Sequence, residues 1–180
     1  MSAAPDPRPL TGEPLALDLL NTRWTEDGVT RDLLADTEGL AVWLAGNGLA
    51  GAHPADADTL RHLLQARDAL RAAVDGTPAE AAQLVDAVLE HGRVRARLTA
   101  ASPAEEPEFA DPAWGPAWLA ARDYLDLLDR APERIRSCAG GDCVLHFFDT
   151  SRNGTRRWCS MAACGNRAKA SRHYARSKEN

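Results

Sequence analysis

Four cysteines fall in the last 43 residues as Cys138-x4-Cys143 and Cys159-x4-Cys164, two pairs separated by fifteen residues. Two such knuckles, brought together across a hairpin, deliver four thiolates to one tetrahedral Zn2+ without long loops. The same residues also suit a disulfide pair, a redox dithiol or an iron–sulfur cluster. The stretch Met1–Leu10 carries Asp6 and Arg8 and no apolar run, so a cytoplasmic protein is expected, and structural disulfides are rare in that reducing compartment. The hairpin context favours zinc over an iron–sulfur cluster. Four protein thiolates leave no open coordination position, so zinc is expected to be structural and the protein not to be an enzyme. Residues 1–132 hold no glycine-rich phosphate loop and no cysteine, and His53, His62 and His91 lie on separate segments, where surface or packing roles are expected.

The elements that must position these cysteines are legible in outline. Arg134–Cys138 reads as a strand entering the first knuckle, and Ala139-Gly140-Gly141-Asp142 is glycine-rich enough for its sharp turn. Val144–Phe148 reads as a second strand, Asp149–Thr155 as the turn around Asn153-Gly154, and Arg156–Cys159 as a third, returning strand. From Ser160 the composition turns to Ala, Arg and Lys, and a helix is expected to about Arg176, its first turn carrying Cys164. The layout is that of a treble-clef or ribbon-like zinc finger, a β-hairpin plus a C-terminal helix. So small a module has little core of its own, and the metal would supply much of its folding energy.

Charge sets this tail apart. Residues 1–130 carry a net charge of −11 and residues 131–180 a net charge of +6, an asymmetry expected of an acidic body joined to a basic module that meets a polyanion. The alternative is a tail that docks on the acidic body and neutralises it. Along the expected C-terminal helix Lys169, Arg172 and Arg176 share one face, flanked by Arg152, Arg156 and Arg157 from the hairpin. These six residues are the candidate nucleic-acid contacts. Arg167 points elsewhere and is expected to support the zinc site, paired with Asp149 or bonded to carbonyls of the knuckle carrying Cys143. Trp158, Phe147 and Phe148 are expected to pack the finger's small core.

The remainder reads as helices. The chain has 180 residues, 44% of them hydrophobic and 26% charged, which excludes two full enzyme domains and the disordered and fibrous classes. Its longest stretch without Asp, Glu, Lys or Arg, Gly39–Ala55, holds four glycines and is too short for a bilayer. Helices are expected at Leu15–Leu20; after the cap Asp36 as far as Gly46-Asn47-Gly48; between Pro54 and Gly76; from a Thr77-Pro78-Ala79-Glu80 capping box towards Gly92; and from about Pro116 to Arg130. Arg93–Leu98 alternates as a short strand would, or continues the preceding helix. Ser102–Pro112, with three prolines and four acids, is expected to be an exposed connection. Asp18, Asn21, Thr22 and Arg23 form a polar cluster beside the first helix, suited either to a small ligand or to a buried network holding helices together. The fold class is therefore mainly α, an acidic helical domain over residues 1–132 followed by a zinc finger over 133–180.

Two stretches resemble a known family. Cys138, Cys143, Phe147-x-Asp149-x-Ser151, Arg156-Arg157-Trp158-Cys159-Ser160-Met161 and Cys164-Gly165-Asn166-Arg167 resemble the bacterial CGNR zinc finger. The opening Leu15-Ala16-Leu17-Asp18-Leu19-Leu20-Asn21-Thr22 is similar to the start of the helical ABATE domain that precedes such fingers. The resemblance implies a stress-related transcriptional regulator whose finger binds DNA. The helical domain would then be a sensory or dimerising module, with a small-molecule effector and a homodimer as candidate partners and no membrane. Two other functions use the same residues: a zinc-dependent protein-interaction module without nucleic-acid binding, and a thiol redox sensor.

Overall fold

Five of the six residues in Leu15–Leu20 (α1) are apolar, and this short helix is buried within the protein, with Ala16, Leu17, Leu19 and Leu20 wholly out of solvent. The structure, a computed structural model, describes residues 5–76, 78–166 and 169. The sixth residue of α1, Asp18, is buried too, and is answered by the Arg8 guanidinium at 2.7 Å, the Gly12 N–H at 3.0 Å and the Asn47 amide at 3.1 Å. Burial of a carboxylate without such partners would be prohibitive.

Among the described residues four further α-helices follow α1. Asp36 caps Thr37–Gly46 (α2), accepting from the Gly39 N–H at 2.8 Å, and the helix buries Leu40, Trp43 and Leu44. A Cβ at Gly39 would lie 1.6 Å from the Leu33 carbonyl oxygen, so the approach of these two backbones requires glycine. Asp56 caps Ala57–Asp75 (α3) in the same way, and α3 turns inward Leu63, Ala66, Ala69 and Leu70. Pro78–Leu89 (α4) packs against α3 as the expected helical hairpin. Thr77, the cap of the box expected at its start, lies outside the described residues. The next two strands, described below, precede Gly115–Arg130 (α5), which packs on α1, α3 and α4 through Ala117, Ala120, Ala121, Tyr124 and Leu127. The Trp118 indole donates to the Leu89 carbonyl at 3.0 Å and ties α5 to the end of α4.

Two hairpins depart from the sequence reading. Arg23–Glu26 (β1) and Val29–Asp32 (β2) pair antiparallel about Asp27-Gly28, whose φ angles of 50° and 76° make the two-residue turn that suits twisted strands. Arg93–Leu98 belongs to a strand, Gly92–Leu98 (β3), and its partner is Pro103–Phe109 (β4), inside the segment expected to be an exposed connection. The prolines hid it. A two-stranded ribbon has two free edges, so Pro103 and Pro107 cost it no necessary ladder bond, and cross-strand pairs of Arg93 and Arg95 with Glu108 and of Arg97 with Glu106 supplied the signal.

Ile135–Ser137 (β5) and His146–Phe148 (β6) form the third hairpin, and β6 lies against α1. Cys138, Leu145, Phe147, Phe148, Cys159 and Cys164 join the same continuous apolar cluster as α1, α3 and α5. The expected third strand, Arg156–Cys159, is not part of a ladder. It is held by separate bonds, including Ala139 N–H to the Arg157 carbonyl at 2.9 Å and Arg156 N–H to the Asp149 carboxylate at 2.9 Å. Met161–Gly165 forms a wide helical turn, closed by the Gly165 N–H on the Ser160 carbonyl at 3.0 Å. The continuation of that helix to Arg176 lies outside the described residues. Among the described residues no helix is long and apolar enough to cross a membrane.

Candidate metal centre

Each cysteine is placed by a different device. Cys138 follows β5 and donates its N–H to the Leu145 carbonyl at 2.9 Å, fixing the mouth of the β5–β6 hairpin. Cys143 ends the glycine-rich turn, its N–H bonded to the Gly140 carbonyl at 3.1 Å. A Cβ at Gly140 would stand 3.1 Å from the Cys143 Cβ and 3.2 Å from the Cys164 Sγ, so a larger residue would crowd the thiols. Cys159 donates its N–H to the Cys138 Sγ at 3.3 Å, and Cys164 sits in the wide turn.

The four Sγ atoms lie within 4.8 Å of one another, three of the four residues being buried. Cys143 and Cys159 are 3.8 Å apart at sulfur, Cys159 and Cys164 3.7 Å. No disulfide joins any of them. With Zn–S bonds of about 2.3 Å the edge of a tetrahedron is about 3.8 Å, so the donor set fits that ion. Its protonation chemistry fits as well. The Cys159 thiol, hydrogen bonded to Cys143, lowers the Cys143 pKa to about 5. Cys159 is pushed up by that same contact and by burial, and Cys164 is pushed up by burial. One thiolate is therefore favoured while Cys159 and Cys164 resist ionisation, and a dication among the sulfurs would offset that resistance.

Residues 13–131 match the family model ABATE, whose description reads "Putative stress-induced transcription regulator". The chain belongs to the ABATE family. Residues 134–177 match the CGNR zinc finger. A search of curated proteins gives no match.

Within the CGNR finger Asp149 is fully buried, and its two carboxylate oxygens accept the N–H groups of Ser151 and Arg156, each at 2.9 Å. The Ser151 hydroxyl and these N–H groups hold its pKa below the usual aspartate range. Arg134, which the sequence reading passed over, braces the same turn by donating to the Asp149 and Ser151 carbonyls at 2.7 and 2.8 Å. Arg167, the expected partner of Asp149, lies outside the described residues, as do Arg172 and Arg176.

Arg152, Arg157 and Lys169 are exposed, Arg157 lying over the Trp158 ring at 5.4 Å. Arg156, grouped by its sequence neighbours with these outward cations, turns inward. Its guanidinium donates to the Cys159 carbonyl at 2.6 Å, the Trp158 carbonyl at 3.1 Å and Glu13 at 3.2 Å, and lies 4.1 Å over Phe147. Phe147 is wholly buried and Phe148 nearly so.

In the ABATE domain the polar cluster near α1 divides. Asn21 bonds the backbone of His146, and Thr22 accepts from Arg67 at 2.9 Å while donating to the Leu19 carbonyl at 2.6 Å. With Asp18 bound to Arg8, these three residues hold elements together. Arg23 stands apart, exposed, 3.8 Å from Asp32. Two of the three histidines come together: His62 and His91 each stack on the Trp114 ring, with ring centroids 4.0 and 3.5 Å away, while His53 meets Phe109 edge-on.

Proposed function

We propose that this chain is a zinc-containing transcription regulator that binds DNA through its finger. Cys138, Cys143, Cys159 and Cys164 would hold one Zn2+, whose chemistry is to crosslink the two knuckles, and the reading is carried by four thiols within 4.8 Å of one another, two pairs of them at the tetrahedron edge. Complete thiolate coordination makes the ion structural, and we assign the protein no catalysis. The finger would take the treble-clef or ribbon-like form, completed by the helix after Cys164.

Arg152, Arg157 and Lys169, continued by Arg172 and Arg176, would meet the phosphate backbone. Arg156 is left out because its guanidinium serves the finger's interior. The ABATE domain would act in the cytoplasm as the sensory or dimerising module. A second reading, a protein-interaction finger, draws on the bonds that already join the finger to its own acidic body, Asn21 to His146 and Glu13 to Phe148 and Arg156.

Fluorescence anisotropy of the zinc-loaded full chain on a pool of duplexes, across a salt series, tests the DNA reading. Binding should weaken steeply with salt, and changing Arg152, Arg157 and Lys169 to Ala should reduce the log–log slope by about 2 to 3. Absence of binding at low salt would overturn it in favour of the interaction module.

A further inference from the structure

Glu13 lies outside the finger, in the segment leading into α1, yet both of its carboxylate oxygens are engaged by finger residues. Oε2 accepts the Phe148 N–H at 2.9 Å and Oε1 accepts from the Arg156 Nη2 at 3.2 Å. The same Nη2 donates to the carbonyl of the ligand residue Cys159 at 2.6 Å, and Arg156 Nε donates to the adjacent Trp158 carbonyl at 3.1 Å. Through the plane of one guanidinium, a carboxylate of the body is joined to the backbone of a candidate metal ligand. The Glu13 side chain is only 10% exposed, so water competes little for these bonds.

Resting on the zinc reading above, we propose that Glu13 and Arg156 are positioning residues through which the ABATE domain controls how tightly the finger retains its metal. The segment carrying Cys159 has no strand ladder and is held by separate bonds, and among these the Arg156 side chain grips the carbonyls of Trp158 and of Cys159 itself. Rigid placement of Cys159 slows opening of the metal site. Movement of the chain before α1 would withdraw Glu13, free Arg156 to rotate from the Cys159 carbonyl and loosen that ligand. Coupling of this kind is reciprocal, so metal loading would also tighten the seam between finger and body.

The test is zinc release from the fully loaded, full-length protein into excess chromophoric chelator, for the wild type, Glu13→Gln, Arg156→Lys and the double variant. Gln at 13 cannot accept on both sides at once, and Lys at 156 cannot bridge three acceptors in a plane. Each single variant should release zinc about tenfold faster, the scale of one charge-assisted hydrogen bond, and the double variant should be no faster than Arg156→Lys alone. Asp111→Asn, which removes a carboxylate charge at a helix cap in the body away from the finger, should release zinc at the wild-type rate. Equal rates for the wild type and both single variants, additive effects in the double variant, or an equal acceleration in Asp111→Asn would overturn the proposal while leaving the zinc reading intact. A wild-type chain that takes up no zinc would overturn both.

Discussion

The side-chain amide of Asn21 and the backbone of His146 exchange two hydrogen bonds, Nδ2 donating to the carbonyl and Oδ1 accepting the N–H, each at 2.8 Å. One residue at the end of α1 thereby completes the edge of β6 as a neighbouring strand would. Both residues are buried. Asn21→Ala leaves a buried donor and a buried acceptor unmet, and should cost about 2 to 4 kcal/mol. The urea midpoint reads this directly, and a loss under about 1 kcal/mol would mean that water fills the place of the amide.

Arg67 gives a second, larger-scale test of buried polarity. Its guanidinium is nearly inaccessible and grips Asp32 with both nitrogens, at 2.6 and 2.8 Å, while also donating to Thr22. Arg67→Met should destabilise by about 3 kcal/mol because it takes two charge-assisted hydrogen bonds from the Asp32 carboxylate and one from the buried Thr22 hydroxyl. Arg95→Gln, on the exposed β3–β4 ribbon, should cost less than about 1 kcal/mol. Chemical denaturation of the two variants would contradict this if the order were reversed.

Acid should act on Asp6. Burial opposes its ionisation, but hydrogen bonds from the Arg8 side chain and backbone outweigh that and hold its pKa below the ordinary value. The ionised form therefore contributes stability that is complete above the ordinary aspartate pKa and is lost as pH falls through the lowered one. Asp6→Asn should be less stable than wild type near neutrality, and the two stability curves should converge below about pH 4. Urea midpoints that stay parallel across that range would contradict the assignment.

Local chemistry made much of the architecture legible. Asp36 announced α2, the apolar rows of α3 and α5 announced their buried faces, and the cysteine spacing announced the cluster. What escaped depended on partners far away in sequence. Asp27-Gly28 is a hairpin signal, but its flanking strands are only four residues each, too short to show an alternating pattern. Pro103 and Pro107 masked β4, since a proline argues against a strand only where its N–H is needed. Arg156 looked like its neighbour Arg157, and nothing local distinguishes them; its inward turn is set by Glu13, 143 positions earlier.

The metal site is the claim on which the rest depends, and cobalt(II) titration of the reduced, metal-stripped full chain tests it most directly. The visible and near-ultraviolet absorption should show a tetrahedral tetrathiolate ion, saturating at about one equivalent and displaced by zinc. Cys164→Ala should lose that spectrum. A titration without saturable tetrahedral bands, or one that Cys164→Ala leaves unchanged, would contradict the four-thiolate centre.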